Sequence, residues 1–101
     1  MNEDIRKIAN HFGVRNQLHK TVEECGELAE AIHDYINGLD LEADPVDSAR
    51  DREHVIEEMA DVLILIEELA YLLSARPELW KMRGYKIDRT LQRIKDNYYG
   101  S

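Results

Sequence analysis

The sequence predicts an all-α chain, four-helix and bundle-like, on three observations. Apolar residues recur at spacings of three and four nearly throughout the 101 residues, one such stripe holds for three heptads, and Gly13, Pro45 and Pro77 punctuate the periodic stretches. No internal repeat or low-complexity segment appears. A chain of this length buries roughly two-thirds of its unfolded surface, so one domain over residues 1–101 is expected.

The first helix is expected over residues 3–11, with Ile5, Ile8, Ala9 and Phe12 inward and Gly13 ending it. The second carries the clearest signal. Leu18, Val22, Cys25, Ala29, Ile32, Ile36 and Leu39 alternate spacings of four and three, the pattern of an a/d seam. Cys25 and Gly26 read as seam packing that permits close helix approach, and Gly38 is expected to close the helix. Residues 40–47 are acidic, contain Pro45 and lack periodicity, so they read as a loop.

The third helix is expected to start after Ser48, whose hydroxyl would cap it, with Asp51 complementing the dipole in the first turn. It should run to Ala75, where Arg76-Pro77 stops it. His54, Glu57, Glu58, Asp61 and Glu68 form one narrow polar stripe, and residues 62–66 and 69–73 are apolar over most of the remaining circumference. A helix this apolar needs cover on several sides, which predicts a core completed by homo-oligomerisation, as a homodimer or homotetramer. A fourth helix is expected over residues 78–97, with Trp80, Ile87, Leu91 and Ile94 inward and an irregularity at Gly84.

Charge is distributed unevenly along these helices. Residues 21–75 hold 16 acidic and two basic residues, whereas residues 1–20 and 76–101 are net basic, within an overall charge of −8. Ordinary solvated helices intersperse signs, because like charges one turn apart destabilise while opposite ones help. Overall acidity argues against a nucleic-acid duplex as partner. The longest apolar run, residues 62–66, is far short of a membrane span, and no apolar leader opens the chain, so a cytoplasmic location is expected. The single Cys25 cannot form an internal disulfide, which agrees with a reducing compartment.

Within the acidic stretch, Glu24 and Glu27 share one face of the second helix, and Glu58 and Asp61 share one face of the third. Packed side by side, the two helices would offer four carboxylates to one point. A hard divalent cation takes such oxygen ligands and keeps positions open for water and substrate phosphates, which makes Glu24, Glu27, Glu58 and Asp61 candidate ligands for Mg²⁺, with Mn²⁺ an alternative. The clusters point toward phosphate chemistry.

The segments QLHKTVEECGELAEAI over residues 17–32 and IEEMADVLI over residues 56–64 resemble the MazG-like all-α nucleoside triphosphate pyrophosphohydrolases. Their hallmark is ExxE on one helix and ExxD on the next, here Glu24 with Glu27 and Glu58 with Asp61, each preceded by a further acid, Glu23 and Glu57. The resemblance implies Mg²⁺-dependent cleavage of a nucleoside triphosphate between its α- and β-phosphates. It leaves open whether Glu23 or Glu57 is the base or an outer orienting group. Gln17, Lys20, Lys86 and Arg89 are the substrate-binding candidates: Lys20, on the stripe shared with Gln17 and Glu27, and the pair Lys86 and Arg89 on the fourth helix would hold the phosphates.

Competing readings attach to several of these residues. Both acidic faces also suit a non-catalytic helical homo-oligomer or adaptor, and Glu30 with His33 supplies one Glu-x-x-His motif of a di-iron carboxylate bundle. Only a symmetric dimer would provide the second copy of that motif. His54 reads as a surface histidine, Trp80 as core, and Glu67 and Glu68 as surface or oligomer-contact residues.

Overall fold

Asn2 opens the first helix: its side-chain oxygen accepts from the backbone N–H of Asp4 at 2.8 Å, and α1 (Glu3–Phe12) follows. The computed structural model describes residues 2–98. Gly13, at φ +84° and ψ 164°, lies where a side chain is not tolerated, and this one residue turns the chain from α1 into α2 (Val14–Asp40). A short turn leads to α3 (Pro45–Leu72), and a second leads to α4 (Arg76–Tyr98).

Both turns use the same device. The N–H of Ala43 bonds to the carbonyl of Gly38 and that of Glu42 to Leu39, while Ala75 bonds to Ala70 and Ser74 to Tyr71. These are Schellman closures, and the left-handed residue in each is not glycine but Glu42 (φ 53°) or Ser74 (φ 52°). The sequence expectations therefore shift at both places. Gly38 does not end α2; it lies inside the helix, where an added Cβ would meet Asp51 Oδ2 at 3.3 Å and Ala43 Cβ at 3.6 Å, so it permits a close approach of α3.

The expected acidic loop contracts to residues 41–44, because Asp44 rather than Ser48 caps α3. Its carboxylate accepts from the N–H groups of Val46 at 2.9 Å and Asp47 at 3.0 Å, and Pro45 sits in the first turn, where its missing N–H costs nothing. Arg76-Pro77 likewise starts α4 instead of stopping α3. Gly84 causes no break in α4, and Gly26 has no atom near enough for close helix packing.

Joined by a four-residue turn, α2 and α3 run antiparallel and form the main contact of the fold, with α1 laid across them. The face of α2 that turns inward consists of Gln17, Thr21, Glu24, Leu28, Ala31, Tyr35 and Gly38. This stripe has the spacing of the predicted seam but starts one residue earlier, a rotation of about 100°. Leu18, Val22, Cys25, Ile32, Ile36 and Leu39 consequently lie exposed, as do Ile8 and Phe12 on α1, leaving Ile5 and Ala9 as the buried pair there.

Among the described residues helix α4 touches only α3, and Trp80, Ile87, Leu91 and Ile94 are exposed rather than core. Its divergence gives the molecule a flat shape, 44 × 41 × 21 Å, and opens a groove of about 850 Å³ between α3 and α4, with Leu63, Ile66, Leu79 and Ile87 among its lining residues. No helix among the described residues is long and apolar enough to cross a membrane.

Candidate metal centre

Heptad spacing places Gln17 and Glu24 on one line of α2, and Asp61 and Glu68 on one line of α3, and the two lines face each other. Where an apolar core would be expected, the interface is therefore polar. Gln17, Glu24 and Glu68 are buried in it alongside Val62, Leu65 and Ala31.

Each helix holds one carboxylate, the buried Glu24 or the half-buried Glu58, with a side chain one turn earlier. Lys20 Nζ lies 3.1 Å from Glu24 Oε1 and 3.8 Å from Glu23 Oε1; His54 Nε2 lies 3.4 Å from Glu58 Oε1. The other oxygens differ: Glu24 Oε2 and Glu58 Oε2 are both buried and have no hydrogen-bond partner. An unsatisfied buried acceptor is costly, and a charged one more so.

Two overlapping sets of acids surround these oxygens. Ligand atoms of Glu24, Glu58 and Asp61 lie within 4.8 Å of one another, and so do those of Glu23, Glu24 and Glu27. Glu24 belongs to both. Lys20 donates to Glu24 and holds its carboxyl below the ordinary range against the opposing effect of burial, and the same bond raises the lysine. Glu27 is raised instead, first by the hydrogen bond it makes with Glu24, then by the charge of Glu24, by burial and by Glu58 and Glu23. Proximity of like charges is what a cation would relieve.

The donor set fits a hard divalent ion. It consists of carboxylate oxygens from two rigid helices, with two of those oxygens buried and lacking any donor, and the partly open face leaves room for water and phosphate.

Glu57 is exposed and joins neither set, whereas Glu23 joins the one around Glu27. Gln17 and Lys20 line a pocket of about 230 Å³ together with Glu24, Asp61, Ile64, Leu65 and Glu68. Lys86 and Arg89 are not brought to it. Lys86 lines the α3/α4 groove, and the Arg89 guanidinium lies over the Tyr85 ring at 5.7 Å. Glu30 and His33 are exposed and belong to neither acidic set.

His54 is a surface histidine, as expected, and its Nε2 also reaches Glu58 Oε1, for which the i,i+4 spacing was the available signal. Glu68, read as a surface or contact residue, is 2% exposed and accepts a 2.8 Å hydrogen bond from Gln17 Nε2. Its signal was membership of the His54 stripe.

The family model for the MazG nucleotide pyrophosphohydrolase domain matches residues 12–95. No curated protein and no solved structure matches the chain.

Proposed function

We propose that this chain, which belongs to the MazG nucleotide pyrophosphohydrolase family, hydrolyses a nucleoside triphosphate between the α- and β-phosphates, giving a monophosphate and pyrophosphate. The observation that carries this reading is the pair of buried, donorless oxygens on Glu24 and Glu58. A non-catalytic helical adaptor would have no use for two such atoms at one interface.

In this reading Glu24, Glu27, Glu58 and Asp61 hold Mg²⁺ or Mn²⁺. Once bound, the ion neutralises triphosphate charge, polarises the attacked phosphorus and acidifies water. Lys20, whose side chain is half exposed beside Glu24, would bind the phosphates. Glu23 is the better placed of the two extra acids to accept the proton of the attacking water, since it shares a set with Glu24 and Glu27 while Glu57 stands outside. His54 orients Glu58 through Oε1.

A homodimer or homotetramer completes the molecule in the same reading. The exposed stripe on α2 and the apolar groove beside α4 are the surfaces it would cover. Lys86 and Arg89, remote from the carboxylates of their own chain, would contribute to phosphate binding only from a neighbouring copy. The free, exposed thiol of Cys25 suits the reducing cytoplasm, where nucleotide pools lie.

Incubation with Mg²⁺ and a panel of standard and modified nucleoside triphosphates, with pyrophosphate and monophosphate as the readout, tests the activity. Release of both products by the wild type and its loss in Glu58→Gln is expected. Absence of turnover across the panel in both Mg²⁺ and Mn²⁺ would overturn the reading.

A further inference from the structure

Gln17 and Glu68 form a second polar feature that the carboxylate sets do not use. Both are more than nine-tenths buried, and the bond between them joins α2 to α3. They stand seven residues from Glu24 and Asp61 respectively, roughly 10 Å along the helices at the usual rise per residue. That separation is what a ribose imposes between a metal-bound phosphate and the far edge of a nucleobase.

The surroundings are those of a ligand pocket. Ile64 and Leu65 supply an apolar wall for a flat ring, and the pocket of about 230 Å³ runs continuously from Glu24 and Asp61 to Glu68. A carboxylate offers about four acceptor positions, of which Gln17 occupies one, and Gln17 keeps its own carbonyl oxygen. Among the described residues no ion pair to Glu68 is seen. The Glu68 side of the pocket is therefore rich in acceptors.

We propose that Glu68, positioned by Gln17, reads the nucleobase of the triphosphate and selects bases that carry an exocyclic amino group. This inference rests on the pyrophosphohydrolase reading. Cytosine and adenine present an exocyclic amino donor at the ring edge, which one carboxylate oxygen can accept without meeting the acceptor nitrogen of the ring, and guanine presents two adjacent donors. Uracil and thymine flank their single N–H with carbonyls that would face the carboxylate lone pair to lone pair, and hypoxanthine is one donor short of guanine.

Isothermal titration with Mg²⁺ and the α,β-imido triphosphate analogues of deoxycytidine, deoxyadenosine, deoxyguanosine, deoxyuridine, thymidine and deoxyinosine tests this. The amino bases should bind tighter by on the order of tenfold. Glu68→Gln, which keeps shape and can still pair with Gln17, should erase that preference, weakening the amino bases and relieving the clash with uracil and thymine. Equal wild-type affinities across the six, or a preference that survives in Glu68→Gln, would overturn the assignment. The wild-type affinities decide even if the variant misfolds. Binding without base preference removes this inference alone; no binding by any analogue removes the nucleotide reading as well.

Discussion

Glu24 on α2 and Glu58 on α3 meet at the helix interface with matching environments: a basic side chain one turn earlier, Lys20 at 3.1 Å or His54 at 3.4 Å, holds one carboxylate oxygen, and the second is buried without a donor. In the proposed reading, a cation that takes oxygen ligands from both acids completes the interface.

Glu58→Gln should abolish pyrophosphate release and, in metal-free buffer, raise the melting temperature. The amide removes one of the converging charges and adds a donor where Glu24 Oε2 has none. Calorimetry in EDTA beside a pyrophosphate assay checks both. A melting temperature below wild type would show that the acids are not in mutual conflict.

Stabilisation by Mg²⁺ should grow as pH rises. Glu27 is raised in the fold, so the folded state holds its proton more tightly than the unfolded chain; that contribution is full below the ordinary carboxylate range and lost as pH rises through the raised value. Glu24 is lowered, so its contribution is present above the ordinary range and lost on acidification through the lowered value. The ion competes with the Glu27 proton. Melting scans with Mg²⁺ and with EDTA, from about pH 4.5 to pH 7.5 around the ordinary carboxylate values, should therefore show a widening gap.

Gln17→Ala should destabilise the chain by about 1–3 kcal/mol in urea unfolding, since it strips a buried carboxylate of its donor. Gln17→Glu should be worse, setting two carboxylates face to face. Glu68→Gln in the Gln17→Glu background should recover part of the loss.

Asp44→Ala should lower the melting temperature by a few degrees through loss of the α3 cap, whereas Asp44→Asn should change little. The backbone N–H of Asp47 is the main cause of the lowered Asp44 carboxyl. Its contribution is thus present above the ordinary aspartate value and lost as pH falls through the lowered one, and the alanine variant should show a shallower loss of stability on acidification.

Val22→Glu combined with Ile36→Glu should reduce the particle mass measured by light scattering to that of one chain, 11.8 kDa, from a multiple of it in the wild type. Both residues are exposed on α2 and face away from α3. A wild-type mass already at 11.8 kDa would remove the oligomer from the account.

Element type was legible in this chain because helical periodicity is local. Boundaries were less so, and for one reason at both turns: the left-handed closing residues are Glu42 and Ser74, where glycine is the usual signal, while the glycine that is present, Gly38, serves packing. Asp44-Pro45 is a strong helix start, but its signal competed with the reading of Pro45 as a loop marker. The acidic spacing placed Glu24 with Glu27 and Glu58 with Asp61 on common faces, since three- and four-residue spacings leave little freedom within a helix.

Which face of each helix turns inward is a different matter. The sequence by itself determined four helices, the clustering of acids on two of them and the membership of a phosphate-cleaving family. Only the tertiary structure decided that the polar line Gln17, Thr21, Glu24 packs against α3 while the apolar line Leu18, Val22, Cys25 stays out, and that Glu68 is buried opposite Gln17. The two lines have the same period and differ only in phase. Periodicity reveals that an amphipathic seam exists, but what it packs against, its own chain, a second copy or a bound ion, is set by the partners available in three dimensions.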